Sequence, residues 1–347
     1  MATFSARQNR TYSNEWCKTG GFPSNLRICF LVKVVFMLAS GEDCLEILRC
    51  PLSGATLSMV APNRLETPSG QSYPVLHGKP VLVDFDDSVL SEDAVMATKA
   101  HSQITRKNYN GVTARIKRLV SPEKKATALN VARLIADLEK LGRPARLLVI
   151  GGGSVGQGMA PLYDHPDIAI YAFDIYDSPN VQFIADGHHL PLPDDHFDAV
   201  VIQAVLEHVL QPAQVVAEIW RVLRPGGVVY AETPFMQQVH EGPYDFTRFT
   251  ESGHRYLFRN FDVLTSGASG GPGVQFMWSV DYLARSLFRS RTAGKAAKLA
   301  FFWTQYLDRI IPADYAQDAA SGVFFYGRKA ARPIHPREII DYYQGAQ

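Results

Sequence analysis

The stretch Arg146 to Leu162, RLLVIGGGSVGQGMAPL, decides the fold. Leu147 to Ile150 is a short continuous apolar run that stops at Gly151, Gly152 and Gly153, with Ser154, Val155, Gly156 and Gly158 beyond. A run of this length bounded by glycines reads as a strand buried on both faces. Glycines placed directly after it let the backbone turn tightly and approach a ligand with no Cβ in the way. A helix is expected to start within GQGMA, its first N–H groups turned toward an anionic group over the turn. The reading is the first strand, loop and helix of a nucleotide-type binding domain. A glycine-rich turn without a ligand is the alternative, because one Gly pattern alone is weak.

Downstream, the same strand grammar repeats. Ile168 to Phe173 is a second apolar strand ended by Asp174, and Val181 to Ala185 a third ended by Asp186. Phe197 to Ile202 is a fourth with Gln203 just beyond, and Val228 to Ala231 a fifth ending at Glu232. Val215 to Leu223 reads as a helix stopped by Arg224-Pro225-Gly226-Gly227. Phe261 to Ser266 and Gly322 to Arg328 supply a sixth and a seventh strand. Apolar strands alternating with helices predict an α/β fold with a doubly wound, mostly parallel, seven-stranded sheet. Ligands bind such sheets at the carboxyl ends of the strands. Gly151 to Gly156, Asp174, Asp186, Gln203 and Glu232 all fall at that edge.

Upstream, Ser88 to Leu141 is polar and then amphipathic. Ser121 as N-cap and Pro122 at the first helical position start a helix that Gly142 and Pro144 end. Tyr109 and Arg115 lie where an N-terminal helix could cover a ligand, or on a solvated face. Cys44 to Phe85 alternates short apolar pieces with Pro and Gly turns, a small β-rich module. Residues 1 to about 40 are basic, then apolar from Ile28 to Ala39. They admit three readings: a disordered leader or extension upstream of Met37, a buried strand, or a signal without a clean cleavage site. The expected organisation is therefore a leader (1–40), the small module (41–86), a helical linker (87–141), a catalytic domain (142–332) with a helical insert (270–320), and a C-terminal tail (333–347).

Of 347 residues, 46% are hydrophobic and 20% charged, an ordinary globular balance, and the formal net charge is +1. No field of one sign recruits nucleic acid. The four cysteines, Cys17, Cys29, Cys44 and Cys50, contain no CxxC pair, so no disulfide framework is expected and the chain reads as cytoplasmic.

Gly151, Gly153 and Gly156 satisfy GxGxxG, which makes a nicotinamide dinucleotide the first rival ligand. The sequence beyond it decides. ADGHHLPLPDDHFDAVVIQAVLEHV (Ala185 to Val209) followed by VVAEIWRVLRPGGVVYAETP (Val215 to Pro234) resembles the class I, Rossmann-like methyltransferases that use S-adenosylmethionine. The resemblance spans Ala145 to Pro234. It implies that Gly151, Gly153, Ser154 and Gly156 approach the methionine part of that cofactor. Asp174, with Ile175 beside it, would hold the ribose hydroxyls; Asp186 and Gly187 would face the adenine; Gln203 would line the reactive sulfonium. One departure stands out: where the family carries an acid before the Gly loop, this chain has Val149.

LEILRCP, SYPV and HGKPVLV resemble the small zinc-ribbon-like proteins that accompany or activate methyltransferases. In that family two cysteine pairs hold zinc. Here the four positions carry Cys50, Ser53, Glu66 and Ser69, and one thiolate cannot make a structural site that needs four ligands. No metal ligand set is assigned anywhere in the chain.

Methyl transfer is an in-line displacement in which positioning supplies much of the rate. An oxygen nucleophile also calls for a base, for which His is the usual choice near neutral pH. Thr233 to Phe258, TPFMQQVHEGPYDFTRFTESGHRYLF, follows the fifth strand and is the richest stretch for this. His240 is expected to act as base or substrate ligand, Tyr244 and Arg248 as positioning groups, and His208 of LEHV as the second base candidate. The expected acceptor is a small molecule, a glycan or lipid-linked metabolite, methylated at oxygen. The insert pairs apolar helices with Arg285, Arg289, Arg291, Lys295 and Lys298, which allows core packing, membrane contact through 276–310, or a homodimer face. The competing view is a binding module or pseudoenzyme, motivated by Val149 and the lost zinc ligands.

Overall fold

The structure, a computed structural model, describes residues 38–98, 100, 121 and 125–347. Residues 1–37 of the leader, Tyr109, Arg115 and Pro122 lie outside the described residues. In chain order the elements are α1 (Gly41–Ile47), β1 (Ser58–Ala61), β2 (Arg64–Glu66), β3 (Ser72–Leu76), β4 (Lys79–Leu82), α2 (Glu92–Ala97), α3 (Lys125–Glu139), β5 (Ala145–Ile150), α4 (Ala160–Tyr163), β6 (Ile168–Asp174), β7 (Phe183–Ala185) and β8 (Phe197–Gln203). They continue with α5 (Pro212–Val222), β9 (Leu223–Pro234), α6 (Glu251–Leu257), β10 (Phe261–Gly270), α7 (Pro272–Phe288), α8 (Arg291–Ala300), α9 (Ala313–Asp318), β11 (Gly322–Lys329) and α10 (Glu338–Asp341).

β5 is central because it can be buried on both sides. Leu147 and Val149 enter a core with Val131, Leu134 and Leu138 of α3. Leu148 and Ile150 point the other way, into a core with Val215, Val216, Ile219 and Val222 of α5. Alternate side chains thus serve opposite faces, as the pleat dictates. The sheet order is β1-β2-β3-β4-β7-β6-β5-β8-β9-β11-β10. From β4 to β9 the pairings are parallel, and β11 and β10 close that end antiparallel.

One expectation needs correction. Among the described residues the sheet has eleven strands, not seven: β4 pairs in parallel with β7, Val81 beside Ile184 and Leu82 beside Ala185, so the N-terminal strands continue the same sheet. Their side chains continue the same core, with Cys44, Leu48, Cys50 and Leu65 clustered with Phe173 and Phe183. Segregation of the short apolar pieces by Pro and Gly concealed this, because the edge-to-edge pairing is non-local. The helix does start within GQGMA, at Ala160, but α4 is a single turn and its N-terminus carries no side-chain cap. It is too short to carry a helix-dipole site.

Cys50, ahead of the N-terminal strands, is held in a small hydrogen-bond network. The Cys50 thiol lies 3.0 Å from the Tyr73 hydroxyl, donates to Gln71 Oε1 at 3.1 Å and accepts from Ser53 N at 3.4 Å. Burial pushes this thiol up, but the bonds from Ser53 and Tyr73 outweigh that and hold it below its ordinary value. Among the described residues, no helix is long and apolar enough to cross a membrane.

Candidate active site

The loop after β5 is shaped by what lies behind it. Gly151 has φ +75°, and a Cβ there would stand 2.3 Å from Val205 Cγ2. A Cβ on Gly153 would meet the Tyr176 ring at 2.4 Å and Asp174 Oδ2 at 2.6 Å; one on Gly156 would meet Gln203 Oε1 at 1.8 Å. Gly151 is held to glycine by its positive φ and by Val205, just past β8, whereas a Cβ at 153 or 156 would have to push aside Tyr176 and Asp174, or the flexible Gln203 side chain. Gly187 is different: its nearest neighbour, Val215 Cγ1, would be 3.5 Å from a Cβ, which leaves ordinary room.

Asp174 closes β6 and Asp186 follows β7, its parallel neighbour, so both carboxyls stand on one rim beside the Gly loop. Asp174 accepts from Gly153 N and from Ile175 N, each at 2.8 Å. Asp186 accepts from His188 N at 3.0 Å, from its ring Nδ1 at 2.5 Å and from Ser88 Oγ at 2.5 Å. Burial pushes the Asp186 carboxyl up, and these bonds more than offset it, leaving it below the usual carboxylate range. Ser88 is a contribution from the N-terminal segment that sequence reading had no means to place. Ser154 sits in the turn between Gly153 and Gly156, and with Gly151, Gly156, Met159 and Gln203 it lines a small open-mouthed pocket.

Gln203 ends β8 and donates to Glu232 Oε2 at 2.8 Å. Glu232 also accepts from Thr127 Oγ1 at 2.5 Å and from Tyr230 OH, so this strand end is buried against α3 and Tyr230 rather than opening on the rim. Beyond Gln203 the chain turns through Ala204, at φ +55°, into a 3-10 turn of Leu206–His208. That turn aims two side chains at the rim. His208 donates from Nδ1 to the Tyr244 carbonyl at 2.6 Å, which fixes its ring. Burial holds the His208 imidazole below its ordinary value, and neighbouring His240 adds to this. Glu207 is 1% exposed and neither carboxyl oxygen has a hydrogen-bond partner. Burial pushes its carboxyl up to about 8. Sequence reasoning passed over Glu207; the signal was an acid directly beside a candidate His at a strand end.

The loop after β9 comes back over this turn. Phe246 N and Thr247 N donate to the Glu207 carbonyl, at 2.8 and 3.2 Å. Arg248 clamps Asp245 with both terminal nitrogens, Nη2 at 2.8 Å, and donates from Nε to the Gln237 carbonyl at 3.0 Å. This holds the Asp245 carboxyl well below the usual range. Asp245 in turn accepts from His240 N at 2.9 Å and lies 3.2 Å from His240 Nδ1. The four sequence-selected residues His208, His240, Tyr244 and Arg248 are thus gathered in one place. Tyr244 contributes its backbone carbonyl, and Arg248 is spent bracing the loop. His254, crowded into the same sequence stretch, lies instead in the core between Phe249 and Phe258.

The donor chemistry fits an adenosyl cofactor on its ribose side: a strand-end carboxylate beside a backbone that only glycines permit. Val149, 8% exposed, offers no charge for the cofactor's ammonium. Residues 149–231 match the family described as "Methyltransferase domain". The chain is 36% identical over 111 residues to a demethylmenaquinone methyltransferase of Renibacterium salmoninarum, covering 31% of this chain and 41% of that protein. It is likewise 36% identical over 74 residues to the ubiquinone/menaquinone biosynthesis C-methyltransferase UbiE of Psychromonas ingrahamii, covering 20% and 29%. The chain thus spans less than half the length of these curated relatives. Among solved structures, the Haemonchus contortus phosphoethanolamine N-methyltransferase 2 in complex with S-adenosyl-L-methionine aligns with a TM-score of 0.39 at 15% identity, over 73% of this chain and 62% of that one. Over residues 149–231 the chain is thus similar to methyltransferase domains.

Proposed function

We propose that the protein transfers a methyl group from S-adenosylmethionine to an oxygen of a small-molecule acceptor. The observation that supports this most is the sharing of one rim by Asp174, Asp186 and the His208–His240 pair. Asp174 would accept from the ribose hydroxyls, the Gly151–Gly156 turn would receive the methionine portion, and Asp186 with Gly187 would face the adenine. The cofactor supplies a methyl group activated by a sulfonium. The chain's own part is to fix the acceptor in line with that group, to exclude water beneath the 235–250 loop, and to accept the acceptor's proton on an imidazole nitrogen. With its ring anchored through Nδ1, His208 keeps Nε2 for that proton. Arg248 and Asp245 hold the loop bearing His240.

Leu283, Leu287 and Phe288 of α7, and Ile310 beyond it, are exposed, with Arg289 and Arg291 adjacent. This supports an acceptor carried on an apolar tail, such as a lipid-linked metabolite; a membrane surface or a second copy of the chain would compete for the same face. The Cys44–Phe85 segment is read as a metal-free relative of the zinc-ribbon proteins, kept for packing and for its Ser88 neighbour's contact with Asp186.

The test is calorimetric titration with S-adenosylhomocysteine, followed by release of S-adenosylhomocysteine from S-adenosylmethionine in the presence of saccharides, polyprenyl-linked sugars and quinols. Micromolar binding and turnover with a hydroxyl acceptor are expected. Turnover only at a quinone carbon would refute oxygen transfer. No heat from a folded sample would favour a pseudoenzyme, and saturation by NAD would favour an oxidoreductase.

A further inference from the structure

We infer that Glu207, His208 and His240 form a binding site for one divalent transition-metal ion. One donor atom from each of the three lies within 4.8 Å of the other two. Proximity alone would not carry this. The second observation is the state of Glu207, a carboxyl 1% exposed and without a hydrogen-bond partner on either oxygen. A buried carboxyl with neither oxygen paired is costly unless a proton or a cation answers it.

The hydrogen bonding of the two rings says what answers it. His208 Nδ1 faces a carbonyl, which can only accept, so Nδ1 carries the proton and Nε2 the lone pair. Nε2 is the atom that stands 3.6 Å from Glu207 Oε1. A carboxyl oxygen and a nitrogen lone pair thus face each other across a gap too wide for a direct hydrogen bond, one that a shared cation would bridge. His240 repeats the pattern: its Nδ1 faces Asp245 Oδ2 at 3.2 Å and the Gln238 carbonyl at 3.4 Å, both acceptors, which leaves Nε2 as the donor to a metal. Each ring is thus oriented through its far nitrogen by a carbonyl or a carboxylate, the outer-shell pattern of ligating histidines. Arg248 fixes the carboxylate in turn.

Two imidazoles and one carboxylate select a transition metal such as zinc, iron or manganese over magnesium or calcium, and three protein ligands leave a position open. Metal–ligand bonds of about 2.0–2.2 Å require the three donors to draw together. Of the three ligands His240 is the exposed one. A further step rests on the methyltransferase reading: the open position would take the acceptor oxygen and lower its pKa, so that its proton passes to water and His208, then a ligand, is no longer needed as the base.

The full chain, with any affinity tag removed and stripped with a chelator, is titrated with cobalt(II) and followed by visible absorption, then by zinc competition. One ion per chain with ligand-field bands is expected. His240→Ala, at an exposed position that leaves the core intact, should weaken cobalt binding by at least about tenfold, as should Glu207→Gln. His165→Ala, remote from the cluster, should change nothing. Binding that is absent in the wild type, or unchanged in folded His240→Ala, would overturn the site. Titration with S-adenosylhomocysteine is run on the same samples. Metal binding without cofactor binding would leave this site standing while the methyltransferase reading fell, and the reverse result would do the opposite.

Discussion

The rings of His208 and His240 meet edge to face, their centroids 5.1 Å apart and their planes at 71°. They reach this contact from loops that follow β8 and β9, parallel neighbours whose register pairs Gln203 with Glu232. Two loops leaving adjacent parallel strands at the same end have nowhere to go but over the same rim.

From this pair comes the first prediction, made for chelator-treated enzyme so that no ion intervenes. His208→Gln should lower kcat about 10²–10⁴-fold, the usual share of a general base, with a smaller change in KM. Because burial holds the His208 imidazole below its ordinary value, it stays neutral to lower pH than a free imidazole. The acid limb of kcat/KM should therefore lie below about pH 6.5 and disappear in the variant. An unchanged limb would assign the proton to another group.

Asp174→Ala should remove most cofactor affinity. Two charge-assisted hydrogen bonds to ribose hydroxyls are worth roughly 1.5–3 kcal/mol each, so the dissociation constant for S-adenosylhomocysteine should rise by about two orders of magnitude or more. Calorimetry reads this directly, and retained affinity would show that the ribose lies elsewhere.

Gly153→Ala and Gly187→Ala form a contrasting pair. A methyl at 153 would collide with Tyr176 and Asp174 Oδ2. It should cost about 1–3 kcal/mol of stability by forcing both aside, and should weaken the cofactor through Asp174. A methyl at 187 meets only ordinary contacts, so thermal stability should be preserved, and any loss of cofactor affinity there would report adenine close to that residue.

His254 should set part of the acid sensitivity. Burial lowers its folded pKa to about 3, against about 6.5 when exposed. Below pH 6.5 the unfolded chain takes up a proton that the folded chain refuses. Stability is then fully present above pH 6.5 and declines as pH falls toward 3, by up to about 1.4 kcal/mol per unit. His254→Phe, set between Phe249 and Phe258, should abolish this share. Urea midpoints measured from pH 7 to 4 should diverge between wild type and variant, and parallel curves would refute the assignment.

The strands from β5 to β9 were legible because each is an apolar run ended by a polar residue or glycine, and burial on both faces writes that pattern directly into sequence. Asp174 and Asp186 were legible for the same reason. Less legible were contacts made across distance. Ser88 on Asp186, Val205 behind Gly151 and the pairing of β4 with β7 depend on sheet order, which no local pattern encodes. The short α4 shows the limit of glycine arguments: GQGMA permits a helix start but also permits the extended loop that the Asp174 and Gln203 contacts impose. Glu207 escaped attention because an isolated acid in a strand-end turn is usually solvated. Only its burial without hydrogen-bond partners sets it apart.

The join between β4 and β7 bears on how this protein can be trimmed. A version beginning near Lys125 would keep every residue of the matched methyltransferase segment and yet strip a neighbour from β7, leaving bare backbone amides and carbonyls beside Phe183 and Ile184. Such an unprotected margin invites other chains to zip onto it. The shortened protein should come out of cells largely insoluble, whereas co-expressing residues 38–98 as a separate piece should restore soluble material, readable by size-exclusion chromatography. What looks in sequence like a dispensable forepart would then be a built-in guard against self-association.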